Sequence, residues 1–350
     1  MKLTKYKLGE LIRQRRQKND SDDLPICGVT RDGFIPPKQQ DADTSLYNVF
    51  YLKDFVFNPA RMELNAIVFN DRYEKAICSS LYEVFYVHRP DVILPEYLAL
   101  LVKQDWFTRY CEFMGSGSAR EYCRVANISE LEIEVPPIEF QAETARDNQI
   151  IRDRIELKRR INDNLEATAQ ALYQELFVDN PDISEWKNGC VGDVLQLQRG
   201  HDLPRTKMFR GEYPVAGSTG TIGYHNQYTA EAPVIVMGRS GNIGNPRLYL
   251  CNCWTHNTSL YVKQIFHADP MWAYYMLKNL NYDGFVGGSA VPTLNRNDVH
   301  AYGIAIPPIE LQETFGKKVL KLIQFRETNL SEIAKLEELQ GTVLATISSR

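Results

Sequence analysis

The sequence predicts an α+β protein: two mixed α/β domains in a pseudo-two-fold arrangement, separated by two long antiparallel coiled-coil-like helices. Three observations lead there. The stretch from Asn127 to Gln141 is echoed 171 positions later by Asp298 to Gln312, and each copy reads as a short strand, a Pro-Pro stop and the start of a long polar helix. A period this long marks two copies of a whole domain-plus-helix unit, not a solenoid. From Ile138 to Asn180 there is neither Gly nor Pro, and Glu, Arg, Gln, Ala and Leu dominate. Apolar residues after each Pro-Pro also step by three and four, the spacing of a helix-packing seam.

The elements follow in order. Tyr6-Lys7-Leu8-Gly9-Glu10-Leu11 opens the first unit, and Cys190-Val191-Gly192-Asp193-Val194 opens the second with a similar apolar-Gly-acidic-apolar pattern. Val84–Val87 and Pro233–Met237 are the clearest strands. Ser79-Ser80-Leu81-Tyr82 corresponds to Thr258-Ser259-Leu260-Tyr261. Helices are expected from Pro95 to about Thr108 and from Pro270 to about Leu280, because proline at a helix start gives up only an N–H that is unpaired there. Gly117-Ser118-Ala119 and Gly288-Ser289-Ala290 mark matching turns before the recurring strand. The boundaries are 1–137 for the first domain, 138–180 for the central helix, 181–308 for the second domain and 309–350 for the C-terminal helix. The helix–helix interface is expected at Ile161, Leu165 and Leu172 (with Thr168 between) against Leu322, Ile333, Leu336 and Val343, on a run that also includes Phe315, Val319, Arg326, Asn329, Gln340 and Ile347. Neither helix is apolar all round, so each needs a partner stripe: the other helix, within one chain or between chains, is the expected partner, and packing of each helix on its own domain is the alternative.

Composition excludes several classes. With 44% hydrophobic and 24% charged residues the chain reads as globular, and no apolar run approaches a membrane span. The opening residues lack the apolar core of a signal peptide. Seven cysteines without a regular framework suit a reducing, cytoplasmic setting. The net charge of -4 hides local basic clusters. Lys2, Lys5, Lys7, Arg13, Arg15, Arg16 and Lys18 crowd the N-terminus, and Arg199, Arg205, Lys207 and Arg210 the start of the second unit. One reading is a solvated surface; matched placement in the two units offers another, twin phosphate-facing patches.

The repeated Pro-Pro-Ile-x-x-Gln helix start, the run Tyr213–Tyr224 with its Gly217-Ser218-Thr219-Gly220 turn, Val234–Arg239 and Asp54–Met62 together resemble the DNA-specificity subunit of type I restriction-modification systems. The resemblance spans essentially the whole chain. It implies two target-recognition domains, each reading half of a bipartite, asymmetric double-stranded DNA target, with the helices setting the half-site spacing. It also implies docking of two methyltransferase (modification) subunits and joining by restriction/translocase subunits. The chain itself is then expected to be non-catalytic and cofactor-free, with S-adenosylmethionine, Mg and ATP on the partner subunits. Arg and Lys pair with guanine, Asn and Gln with adenine. On that basis the DNA-binding candidates are Arg31, Lys38, Arg61, Arg120 and Arg124 in the first unit, and Arg205, Lys207, Arg239, Asn295 and Arg296 in the second. Ser218 and Thr219 add hydrogen-bond donors on a glycine turn that allows close backbone approach. For any one Arg, a local salt bridge is the competing fate.

Other motifs are weaker. Gly217–Gly223 lacks the Lys-Ser/Thr that ends a P-loop, and Gly238–Gly244 has the wrong glycine spacing for a dinucleotide fingerprint. Cys251, Cys253 and His256 lack a second Cys/His pair at ligand spacing, so no metal is assigned. No nucleophile elbow is present. Two rival readings remain: a tandem protein-interaction adaptor that binds no DNA, and a metal-dependent enzyme built on Cys251, Cys253 and His256.

Overall fold

A computed structural model describes residues 2–21, 23–37, 43–115, 122–282 and 293–348. The chain divides into two compact units, 1–157 with 332–350, and 158–331. The division falls inside the long helices, not at their ends, because each unit takes half of each helix.

In the first unit, β1 (Thr4–Lys7) pairs antiparallel with β10 (Glu132–Val135). The register sets Lys5 opposite Glu134, and their side chains lie 3.7 Å apart. β2 (Ile12–Arg15), β9 (Glu83–Val87), β6 (Phe55–Phe57) and β7 (Ile67–Phe69) form one four-stranded sheet in that order. β4 (Gly33–Ile35), β3 (Ile26–Thr30), β8 (Lys75–Cys78) and β5 (Asn48–Tyr51) form another. Helices α1 (Pro95–Leu101) and α2 (Asp105–Gly115) replace the one helix expected, with a break at 102–104; α3 (Val125–Ser129) precedes β10. The core joins the β2-β9-β6-β7 sheet to α1 and α2 through Phe55, Phe57, Phe85, Leu98 and Phe107.

The second unit repeats this plan. β11 (Lys187–Cys190) pairs with β19 (Gly303–Ile306). β12 (Leu195–Arg199), β18 (Ser259–Ile265), β15 (Val234–Gly238) and β16 (Gly244–Tyr249) form a sheet with the same order of equivalent strands as β2-β9-β6-β7. β13 (Tyr213–Gly217) joins β14 (Gly220–His225) and, in parallel, β17 (Trp254–Thr255). α4 (Ile138–Tyr173) connects the units, and α5 (Val191–Val194), α6 (Pro270–Lys278) and α7 (Arg296–His300) follow before α8 (Ile309–Ser348). Trp272, Tyr275 and Phe315 are the largest buried side chains of this core.

α4 has 36 residues and α8 has 40, so they extend about 54 and 60 Å. Each starts from the same buried amide. Gln141 is fully buried; its Nε2 donates to the Val92 and Pro136 carbonyls, both at 2.8 Å, and its Oε1 accepts from Leu94 N at 2.8 Å. Gln312 does the same in the second unit, donating to Pro307 O at 2.8 Å and accepting from Asp269 N at 3.0 Å. The glutamine of the repeated motif therefore ties each long helix to the entry of α1 or α6. Gly316 completes the joint, since a Cβ there would collide with the Asp269 carboxylate.

Within each unit α4 and α8 pack antiparallel. In the first, Ile151, Ile155 and Ile333 are buried with Leu336 and Val343 against them, and Gln340 Nε2 donates to Asn148 Oδ1 at 3.0 Å. In the second, Asn329 Nδ2 donates to Asn162 Oδ1 at 2.9 Å, Lys158 Nζ donates to Asn329 Oδ1 at 3.0 Å, and Arg326 Nη1 bonds Glu166 at 2.7 Å. Leu172 and Leu322 pack half-buried on the second core. Along α4 the buried line runs through Asn148, Ile151, Ile155, Asn162, Ala169 and Tyr173; Ile161 and Leu165 flank it half-buried and Thr168 is exposed. The seam is shifted one position from the apolar reading because polar residues occupy part of it.

Removing either clamp amide strands buried partners, so Gln141→Ala and Gln312→Ala should each destabilise their unit by about 1–3 kcal/mol. Urea denaturation followed by circular dichroism measures it; an unchanged midpoint for both variants contradicts the assignment.

Candidate nucleic-acid interface

In the first unit, the ends of β2 and β6, the start of β9 and the start of α3 meet at one corner of the sheet. Residues Arg15, Arg16, Lys18, Asn58, Tyr82, Glu83, Tyr122 and Arg124 line a cleft of about 530 Å³ there. Arg15 is framework: it forms a two-point bond to Asp54 (2.6 and 3.0 Å) and lies between the Tyr51 and Tyr86 rings, 4.8 and 4.7 Å from their centroids. Lys18 Nζ donates to Leu46 O and Asn48 Oδ1 at 2.9 and 2.8 Å. Glu83 anchors α3, accepting from Arg124 Nη1 at 2.9 Å and from Val125 N at 2.7 Å. The Arg124 guanidinium stays accessible beside the Tyr122 ring at 5.5 Å. Asn58 caps the turn Pro59–Leu64 by accepting from Ala60 N at 3.1 Å, and this turn carries exposed Arg61.

The corresponding corner of the second unit is organised around Thr258. Its carbonyl accepts from Arg239 N at 3.0 Å, and its hydroxyl accepts from Ser218 N at 3.3 Å and contacts His256 Nδ1 at 3.0 Å. The loop after β15 folds back so tightly that a Cβ on Gly238 would collide with Asn242 O, and Asn242 Nδ2 donates to Ser218 O at 3.2 Å. Leu294 N donates to Arg239 O at 2.7 Å. Ser218, Thr219, Arg239 and Asn295 are thereby gathered at one loop cluster. Asn295 is engaged as the cap of α7, accepting from Asn297 N at 3.0 Å, which leaves Arg296 exposed on the first turn. Arg205 and Lys207 lie exposed on a short 3-10 turn and form no ion pair among the described residues. Arg199 is 3.8 Å from Asp202.

Arg31 is not at the first corner. It lies on the β3–β4 turn, where its carbonyl accepts from Lys103 Nζ at 2.8 Å. Lys38, Arg120, Gly117–Ala119 and Gly288–Ala290 lie outside the described residues. Of the N-terminal basic cluster, Lys5 and Lys7 are paired to Glu134 and Glu130, and Arg13 bonds the Gly9 and Ile12 carbonyls. Residue type alone did not single out Asn58, Tyr122 or Thr258; an Asn before Pro59 was the available cap signal. Cys253 is buried while Cys251 is exposed, and among the described residues no group of three or more His, Cys, Asp or Glu side chains could hold a metal ion. Nor is any described helix long and apolar enough to cross a membrane.

A family model described as "Type I restriction modification DNA specificity domain" matches residues 183–339. The type I restriction enzyme MjaIX specificity subunit of Methanocaldococcus jannaschii is 21% identical over 296 residues, covering 73% of this chain and 68% of that protein. The HindI specificity subunit of Haemophilus influenzae is 31% identical over 126 residues, 35% of this chain and 27% of that protein. In fold, the crystal structure of a type I restriction-modification S subunit from M. genitalium aligns over 98% of this chain and 95% of its own, with a TM-score of 0.70 at 16% identity.

One titration follows from α7. His300 Nε2 accepts from Leu197 N at 2.8 Å, which requires the neutral ring, and burial together with nearby Arg296 lowers its pKa below 6.5. A depressed histidine pKa contributes stability that is present above the unfolded value and lost as pH falls through the folded one. The second unit should therefore lose stability below about pH 6.5. His300→Gln should flatten that slope in pH-resolved thermal melts; an identical slope contradicts it.

Proposed function

We propose that this chain, which belongs to the family of type I restriction-modification DNA-specificity subunits, recognises a bipartite, asymmetric DNA target, one half-site per unit. The observation that carries the reading is the matched corner. Equivalent ends of two topologically equivalent sheets each present an exposed arginine, Arg124 in one and Arg296, beside half-buried Arg239, in the other, on loops fixed by buried or capping hydrogen bonds. Rigid loops place donors toward base edges in the major groove, where each good pair contributes about 1–3 kcal/mol of discrimination. Arg16 and Lys18, which line the cleft with Arg124, and the exposed Arg205 and Lys207 of the second unit supply phosphate contacts that hold register without reading sequence. Because the two corners differ in side chains, the two half-sites differ in sequence.

The paired helices act as the spacer. Their buried polar pairs, Asn148 with Gln340 and Asn162 with Asn329, support one register of packing, since a slipped register strands amides in the seam. A fixed register fixes the unread gap between half-sites. The same helices dock two modification subunits. The chain is a non-catalytic targeting subunit, and S-adenosylmethionine, Mg and ATP belong to its partner subunits, which methylate adenine or cleave unmodified DNA.

Methylome sequencing of the host with and without the gene tests this. Deletion should erase one split, asymmetric adenine-methylation motif, and an unchanged methylome contradicts the proposal. Inserting four residues near Thr168 of α4 should lengthen the tolerated gap or abolish binding; an unaltered target contradicts the spacer role.

A further inference from the structure

The turn between β8 and β9 carries the most exposed large apolar side chain among the described residues, Leu81 at 76%. An isolated surface leucine is ordinary. The setting of this one is not. Leu81 lines the cleft of about 530 Å³ in the first unit, together with Arg16, Lys18 and Arg124. Glu83 is the one carboxylate among the described residues lining that cleft, and both its oxygens are taken, by Arg124 Nη1 and Val125 N.

The turn is held in place. Tyr82 N donates to Ser79 O at 3.0 Å, and Leu81 N donates to Ser79 Oγ at 3.3 Å. Buried Asn48 ties it to the body of the unit: its Nδ2 donates to Tyr82 O at 2.7 Å, and its Oδ1 accepts from Lys18 Nζ at 2.8 Å. The middle of such a turn ordinarily carries Gly, Asn, Asp or Ser. Leucine there gives up both local turn chemistry and burial, a departure expected where a binding role compensates for it.

The turn that leads into β18 in the second unit closes in the same way, with Ser259 N donating to His256 O at 3.0 Å. Thr258 is third in that turn, as Leu81 is third in its own. The Thr258 hydroxyl is engaged within its loop cluster, accepting from Ser218 N and contacting His256 Nδ1. A leucine side chain can form no such bonds, so Leu81 offers the cleft an apolar surface that its counterpart lacks.

We propose that Leu81 is a specificity-determining residue of the first unit, reading one thymine of its half-site by packing on the C5-methyl group in the major groove. That methyl is the apolar mark of an A·T pair on this groove, and an apolar side chain is the group that detects it. The inference rests on the proposal that this corner reads DNA, and it assigns a base to one contact there.

The test uses the full chain assembled with the modification subunits proposed for it, and duplexes carrying the split motif of the wild type. Each thymine in turn is replaced by deoxyuridine, which removes only the methyl. Wild type should bind about four- to tenfold more weakly at one such position, in one block of the motif. Leu81→Ala should lose a similar factor on the thymine duplex and no longer tell thymine from deoxyuridine there. Leu81→Met, which keeps an apolar side chain, should keep most of the discrimination. Thermal melting of both variants against wild type verifies folding, and the other block should be read unchanged. Wild-type discrimination retained by Leu81→Ala would overturn the inference. So would a wild type that reads the split motif without distinguishing thymine from deoxyuridine anywhere; weaker binding by Leu81→Ala would then make the leucine a wedge between base steps. If wild type binds no split duplex, the recognition reading fails and takes this inference with it.

Discussion

One buried amide per unit sets the geometry of everything outward of it. Gln141 and Gln312 are each closed in by backbone groups from two segments, the Pro-Pro stop and the entry to α1 or α6. An amide with its donors and acceptor satisfied in a buried place tolerates no slippage, because any shift leaves polar groups unpaired at a cost of about 1–3 kcal/mol each. A helix of 36 or 40 residues is a lever: a small pivot at its first turn becomes a large displacement at its far end. Locking the first turn converts a flexible attachment into a defined one. The proposed role as a spacer depends on that lock.

The seams extend the same logic. Apolar residues alone, Ile151, Ile155 and Ile333 in the first unit, would pack in more than one register. Amide pairs and the Glu166 cluster add directional contacts that penalise the alternatives. Glu166 also accepts from Tyr275 at 3.3 Å, so the seam and the body of the second unit share a carboxylate. The arrangement favours specificity of packing over maximal apolar burial, as the proposed spacer role requires.

Much of this was legible in the sequence because it was written twice. The Pro-Pro-Ile-x-x-Gln start exposed both helices and the glutamine itself, though not its buried role. The α8 seam followed from its spacing, with Phe315, Val319, Asn329 and Ile333 all buried. The α4 seam was harder to read, since Asn148, Lys158 and Asn162 stand where apolar residues were sought. Equivalence of the two main sheets was hidden, as their strands share little beyond apolar alternation. The fate of each cation was hidden too. Lys5 pairs with Glu134 across a strand register, Lys7 with Glu130 just before that strand, Arg15 is sandwiched between two rings, and Arg31 sits on the β3–β4 turn. Those outcomes depend on long-range contacts that no local pattern encodes.

The central claim is that two dissimilar corners, borne by clamped helices, read two separated patches of one duplex. Selection from random-sequence DNA by the chain assembled with the modification subunits proposed for it tests it most directly. The account predicts two short, unlike sequence blocks separated by an unread gap of constant length. Recovery of a single contiguous block, or of two blocks at variable separation, would contradict it.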